Sequence, residues 1–361
     1  MNIPKKFVNK TLHSQVADAL RQDIMTIYQP GQKLEGEVKL AQRLGVSPLT
    51  LRQAFAVLVH EGLIERRNGS GTYVADDLER PYVAIFTSTS SDLRDTDFQR
   101  RIFQICGSLV RERGYSVHLH VLPEGFRAEE WSPFSRRISH GRVCGALFIA
   151  IHPGPLATVL AQKDVPYVVT DEGFSHGVLI DSVPAVREGT RYLLERGCRR
   201  IALMQWCPYT TPTPEYEAFQ AVLAEHHVPV HEKWIRRNVP LRASGAGWEQ
   251  FREIWTARDE KPDGLLVLDD VLFAEVALGI LDSHVKVPDQ LQVVTHANKG
   301  SPITYPFPVT LLEVDPNEFA GAMTDLLIKL INKEPMETPI KRLHPRLIPA
   351  GVRKGELAPV A

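Results

Sequence analysis

Cysteine is scarce: four in 361 residues, at Cys106, Cys144, Cys198 and Cys207, with no CxxC pair. Such spacing is expected of scattered reduced thiols rather than a disulfide framework. No apolar run approaches the roughly 18 residues that a membrane-spanning helix needs. The opening MNIPKKFVNK has basic residues but no apolar stretch behind them, so no secretory signal is expected and the address is cytoplasmic. Short-period repeats and low-complexity tracts are also missing, which removes solenoids and rods. Net charge is nearly nil, −1 from 42 basic and 43 acidic residues, so the chain as a whole is neither a polycation nor a polyanion.

That balance hides an asymmetry. Met1 to Val74 holds ten basic residues against six acidic ones, a surplus of four, while the remainder holds 32 against 37, a deficit of five. A small basic head on a larger acidic body is the distribution expected when one end meets a polyanion. With 43% hydrophobic residues, the length suffices for two or three globular domains.

In the head, Leu12, Val16, Ala19, Leu20, Met25 and Ile27 recur at helical spacing until Pro30-Gly31 breaks the pattern. A second apolar set, Val38, Leu40, Ala41 and Leu44, ends at Gly45. A third, Leu51, Ala54, Phe55, Leu58 and Val59, begins after Ser47-Pro48, where a serine hydroxyl can cap free amides and proline suits the first helical position. After Gly62, Leu63 to Arg67 and Thr72 to Val74 read as two strands joined by Asn68-Gly69-Ser70-Gly71. Three helices followed by a basic hairpin are the order of a winged helix-turn-helix, whose third helix enters the major groove. With Leu51, Phe55 and Leu58 on the inner face, Leu49, Thr50, Arg52 and Gln53 are left to meet base edges. Arg52 suits guanine, Gln53 adenine, and Leu49 or the Thr50 methyl a thymine methyl. Lys39, Arg43, Arg66 and Arg67 are expected on phosphates, adding affinity without sequence information.

These residues resemble the gluconate-repressor (GntR) type of bacterial regulator from about Leu12 to Val74. The resemblance is carried by Pro30-Gly31, Leu34, Glu37, Leu40-Ala41, Leu44 to Ser47, Thr50-Leu51-Arg52, Leu58, Glu61 to Ile64 and Gly69 to Val74. It implies DNA contacts from Ser47, Thr50 and Arg52 on the recognition helix and from the wing tip, Asn68 and Gly69 with Ser70 beside them. Glu35-Gly36, Val38 and Pro48 depart from the family pattern, so a different operator sequence is expected.

Beyond a polar linker at 76–81, the segment 82–361 alternates short aliphatic strands with helices. Strands are expected at Tyr82 to Phe86, Ser116 to Val121, Val143 to Ile149, Tyr167 to Thr170, Arg200 to Met204, Gly264 to Leu268 and Leu291 to Thr295. Such alternation predicts an α/β body with parallel sheets and helices on both faces. Arg113-Gly114-Tyr115, Gly145-Ala146-Leu147, Val165 to Asp171, Arg196 to Ala202 and Val287-Pro288 before Leu291 to Val294 resemble the lactose-repressor (LacI) type effector domain. A body of that type behind a GntR-type head resembles the arabinose-repressor subgroup. The resemblance implies two lobes of a periplasmic-binding-protein fold, a small molecule bound between them, and a homodimer in which the ligand resets two heads on a two-fold operator. It implies repression of transcription, with operator DNA and the effector as partners, no cofactor and no membrane.

For the effector, the resemblance places polar contacts at Asp171 and Asp270, and a cleft segment at Asp97-Phe98. Glu215 stands where the family often has arginine, and Thr295-His296-Ala297-Asn298 where it has Gly-Phe-Asp-Asp after a late strand. A sugar is the first candidate, although both changes remove groups that hold sugar hydroxyls. Phe174, Trp206 and His296 could instead flank a planar ligand.

Enzyme signatures are weak. His118 and His120 share one face of a strand without a third ligand spaced nearby, so no metal is expected and satisfied or solvent-facing histidines are the plainer reading. Glu225-His226-His227 lacks HExxH spacing and ends a helix. Ser244-Gly245-Ala246-Gly247 reads as a loop without a helix-borne lysine. Neither a GxSxG elbow nor a Walker loop is present. The alternatives are a regulator needing no ligand, or an enzyme whose groups assemble only in three dimensions.

Overall fold

The computed structural model describes residues 11–76, 81–89, 97–123, 131–139, 142–206, 212–239, 245–258, 260–336 and 338–351. In the head, α1 is Leu12–Thr26, α2 Glu37–Leu44 and α3 Pro48–His60, followed by β1 Ile64–Arg67 and β2 Gly71–Val74. The turn between α2 and α3 forms as its residues dictate. Gly45 takes φ +66°, a left-handed conformation that costs glycine little. Ser47 then caps α3, its Oγ accepting from the Thr50 amide at 3.1 Å, and Pro48 opens the helix. Leu51, Ala54, Phe55 and Leu58 are fully buried against Leu20, Leu40 and Leu63. Arg21 locks α1 to the end of α3 through two hydrogen bonds to Glu61, at 2.8 and 2.6 Å. The hairpin pairs Ile64 with Val74 and Arg67 with Gly71, turning at Gly69 with φ +71°.

The body supplies β3 Tyr82–Thr89, α4 Asp97–Glu112, β4 Ser116–Pro123, α5 Ser132–Ser139, β5 Val143–Ile149, α6 Leu156–Gln162 and β6 Tyr167–Val169. It continues through β7 Gly177–Ile180, α7 Ser182–Glu195, β8 Ile201–Met204, α8 Pro214–Glu225, β9 Ile235–Arg236, α9 Ala246–Thr256, β10 Gly264–Val267 and α10 Asp270–Asp282. The last elements are β11 Gln292–Asn298, β12 Thr310–Val314, α11 Pro316–Ile331, β13 Ile340–Leu343 and β14 Arg346–Ile348. One sheet has the order β13-β7-β6-β5-β3-β4, the other β14-β12-β11-β10-β8-β9. Described pairings in the body are parallel except β12 with β14. All four residues of both β8 and β10 are buried, as strands covered by helices on both faces require. By contacts the chain divides into two compact units. One holds the head, β3, Cys106–Val169 and Thr324–Met336; the other includes Thr170–Met323.

All seven expected strands are present. Of the two readings left open for His118 and His120 on β4, the solvent-facing one is excluded: both are buried, stacked on Tyr82 and Phe86 with ring centroids 3.7 and 4.9 Å apart. The expectations for two motifs are corrected. Thr295 to Asn298 lie inside β11, not after it, because the strand runs on through His296. Gly245 is the N-cap of α9 rather than mid-loop, and the Gly245 and Gly247 amides donate to the Glu275 carboxylate at 3.0 and 2.9 Å. A side-chain carboxylate thus occupies the position an anion would take. Among the described residues no cluster of three His, Cys, Asp or Glu could hold a metal, and no helix is long and apolar enough to cross a membrane.

Burial, aided by the nearby Arg137 charge, holds the His120 imidazole well below its usual range. Its Nε2 has no hydrogen-bond partner among the described residues. The folded state therefore keeps His120 neutral while an unfolded chain protonates it below about pH 6.5, so stability is lost as pH falls, by at most about 1.4 kcal/mol per pH unit from this group. Urea midpoints at pH 7.5 and 5.5 should drop for the native chain. His120→Phe should lose less, by about 1 kcal/mol.

Candidate DNA-binding face and effector cavity

The outer row of α3 is exposed: Leu49, Arg52 and Gln53 point to solvent, and Leu49 keeps 66% of its surface. Thr50 is half-buried, and its hydroxyl lies 2.8 Å from Ser47 Oγ, so these two side chains close the helix start on each other. The Arg52 guanidinium is held: Nε donates to Glu37 Oε2 at 2.8 Å. Glu37 Oε1 accepts from Arg66 Nη2 on β1 at 3.2 Å. One carboxylate at the start of α2 therefore joins the reading helix to the wing. Because Nε is engaged, the two terminal nitrogens of Arg52 remain for a bidentate contact to guanine. Glu37 was quoted in the family pattern but given no role by sequence reasoning; its partners are 15 and 29 residues away, and no local pattern reveals them.

Around the wing, Arg67 pairs with Glu65 and with Asp76 at 2.7 Å, and lies 4.4 Å over the Tyr73 ring. Lys33 Nζ approaches the same ring to 5.7 Å, which adds a cation that periodicity did not single out. Asn68, Gly69 and Ser70 form the exposed tip, with Ser70 Oγ 2.6 Å from the Tyr73 hydroxyl. Arg43 is exposed and donates to Glu35 at 2.8 Å; Lys39 is exposed. The twelve residues expected on DNA thus lie on α2, on α3 and its Ser47 cap, and on the β1–β2 hairpin, Arg52 and Arg66 being tied through Glu37.

Exposed ion pairs of this kind are worth no more than about 1 kcal/mol to stability. The effect of Glu37 should lie in orientation. Replacing Glu37 by Ala should leave thermal stability within about 1 kcal/mol yet cut discrimination between duplexes. A competition titration with a preferred and a one-base-changed duplex reads the second effect.

A cavity of about 330 Å³ lies in the unit containing Thr170–Met323. It sits at the carboxyl ends of strands, where α/β sheets bind ligands: Ile180 ends β7, Gln205 and Trp206 follow β8, Leu268 follows β10, and His296 and Leu312 stand on β11 and β12. The first turns of α7 and α8 contribute Ser182 and Glu215. Thr213 caps α8, accepting from the Tyr216 amide and from Gln205 Nε2, both at 3.2 Å. The Ser182 hydroxyl donates to Glu215 Oε1 at 2.5 Å. Behind His296 runs a chain: its Nε2 lies 3.2 Å from Asn298 Oδ1, and Asn298 Nδ2 donates to the buried Asp270 at 2.8 Å. Next to it, Asp269 caps α10 by accepting from the Leu272 amide at 2.7 Å, and burial pushes its carboxyl up.

Of the residues expected to hold an effector, Trp206, Glu215 and His296 line this cavity, and Asp270 and Asn298 stand behind it. Asp171 is exposed beyond β6, Phe174 is half-buried, and Phe98 packs edge-on against Phe319 at 5.7 Å; none is among the cavity's described lining residues. The Asp97 side chain lies outside the described residues. Ser182, Gln205 and Thr213 were not anticipated, although Thr213-Pro214 carries the same cap signature as Ser47-Pro48.

Comparison with known proteins places both parts. The pattern of the bacterial regulatory proteins of the gntR family matches residues 12–74, and that of the periplasmic binding protein-like domain matches residues 190–351. The arabinose metabolism transcriptional repressor of Halalkalibacterium halodurans is 21% identical over 353 residues, spanning 92% of this chain and 91% of its own. The mannosyl-D-glycerate transport/metabolism system repressor MngR of Escherichia coli is 40% identical over 90 residues, 25% of this chain and 37% of that one. Among solved structures, a complex of the transcriptional regulator CelR with cellobiose is similar in fold, with a TM-score of 0.59 at 21% identity, covering 84% of this chain and 91% of the other.

Proposed function

We propose, from the premise that this chain is a DNA-binding transcription regulator joining a gntR-family head to a periplasmic-binding-protein-like body, that it is a cytoplasmic repressor acting as a homodimer on a two-fold operator. The head is residues 1–75, the linker 76–81 and the body 82–361. The cavity beside Trp206, Glu215 and His296 holds the effector that controls operator affinity. The observation that carries the reading is the exposed row Leu49, Arg52 and Gln53 on a capped helix, with Arg52 tied to the wing through Glu37. One small head contacts few base pairs, so two heads on a palindrome supply the discrimination a genome demands. No catalytic role is assigned to any residue.

Selection of bound duplexes from a random pool by the full chain tests it. A recovered motif with two-fold symmetry is expected; recovery without enrichment would overturn the reading. On the selected duplex, Arg52→Ala should cost about 1–3 kcal/mol and relax the motif at one position per half-site. Arg67→Ala should weaken selected and unrelated duplexes alike, since a phosphate contact carries no sequence information. Anisotropy titrations on both duplexes separate the two outcomes.

A further inference from the structure

We propose that the cavity takes a cationic ligand, a small ring or short apolar body carrying a protonated amine that binds at the Glu215 carboxylate. The proposal rests on the reading of the cavity as the effector site and names the chemistry of what enters it.

Among the described lining residues, Glu215 is the one acidic side chain, and none is Lys or Arg. Its carboxylate receives the Ser182 hydroxyl at 2.5 Å. A carboxylate offers about four lone-pair directions, so one hydroxyl leaves it unsaturated. Glu215 lies in the first turn of α8, whose amide ends offset part of its charge, about half an elementary charge being available there and Glu217 sharing it. Behind the wall, Asp269 and Asp270 open α10 directly after the lining Leu268, and the buried Asp270 accepts from Asn298 at 2.8 Å. A neutral polyol would supply hydrogen bonds to this site and no charge; an ammonium supplies three N–H donors and the missing positive charge together.

The remaining wall suits the rest of such a molecule. Ile180, Val186, Leu268 and Leu312 are apolar, and Trp206, 47% exposed, offers an indole face that attracts both rings and cations. About 330 Å³ is room for a molecule of one or two rings.

Matched pairs differing in the amine test the proposal on the full chain: glucosamine with glucose, tryptamine with tryptophol, and putrescine with butane-1,4-diol, each followed by thermal shift and calorimetry at pH 7. In at least one pair the amine should bind ten-fold or more tightly than its neutral partner. Glu215→Gln should reduce that ratio to below three-fold, and Glu215→Asp, which keeps the charge, should retain part of it. Absence of a ten-fold preference in every pair that binds, or a preference that survives Glu215→Gln, overturns the proposal. So does binding of neutral sugars or nucleosides from a wider screen when no amine in it binds; the cavity then remains an effector site for another class. If nothing in the wider screen binds, the effector reading itself fails and the proposal falls with it.

Discussion

Raising monovalent salt from 50 to 200 mM should weaken the binding of this protein to any duplex about a thousand-fold, because each neutralised phosphate releases its condensed counterion. Lys33, Lys39, Arg43, Arg66 and Arg67 surround the recognition helix and wing, and three phosphates per head make six for a dimer. The logarithm of affinity should then fall with the logarithm of salt at a slope of about −5. Four carboxylates act against this. Glu35, Glu37, Glu65 and Asp76 already pair with Arg43, Arg52, Arg66 and Arg67, so those arginines exchange one anion for another on binding DNA. Lys39, exposed and without an ion pair among the described residues, meets phosphate with no such exchange. Lys39→Ala should therefore flatten the slope by about 2 for the two heads together. Anisotropy titrations at four salt concentrations give the slope directly. A value shallower than −2 would mean that the head does not meet the phosphate backbone as argued.

The local chemistry of the head was legible because its signals are local. A glycine that ends a helix, a serine followed by proline, and a four-residue turn between β-forming runs each act within a few residues, and Gly45, Ser47-Pro48 and Asn68 to Gly71 all took the expected roles. The continuous apolar runs of β5 and β10 were legible for the same reason. Strands β7, β9, β12, β13 and β14 were not. β9 has two residues, β13 reads Ile-Lys-Arg-Leu at a sheet edge where charge protects exposed backbone groups, and β14 pairs with β12 only through contacts some 35 residues apart. The cavity was half legible. Trp206, Glu215 and His296 were singled out by type and by resemblance, but the Ser182–Glu215 bond joins residues 33 apart, and Asn298 reaches Asp270 across 28. Periodicity carries no information about such partners. The Glu37 link between α3 and the wing went unread on the same ground.

Phe55→Ala should remove DNA binding altogether. The ring is fully buried at the centre of the head, among Leu20, Leu40, Leu51 and Leu58, and the Arg66 guanidinium lies 5.8 Å over its face. Deleting it costs the transfer energy of the ring and leaves a cavity that α1 and α3 cannot close without breaking the Arg21–Glu61 lock, a total of about 3–5 kcal/mol. The match to the head spans residues 12–74, and at about 0.05–0.15 kcal/mol per residue such a head has some 3–9 kcal/mol to lose. Most of it is therefore consumed, and with it the placement of Arg52 and the wing. Body packing does not involve Phe55, so the sheets around the cavity should survive. Two transitions are expected on heating, with only that of the unit holding the head shifted, and limited proteolysis should attack the head first. Val59→Ala, on the same helix but 40% exposed, should cost less than about 1 kcal/mol and leave duplex binding in place. Equal losses from the two substitutions would show that the buried face of α3 is not what holds the reading row in position.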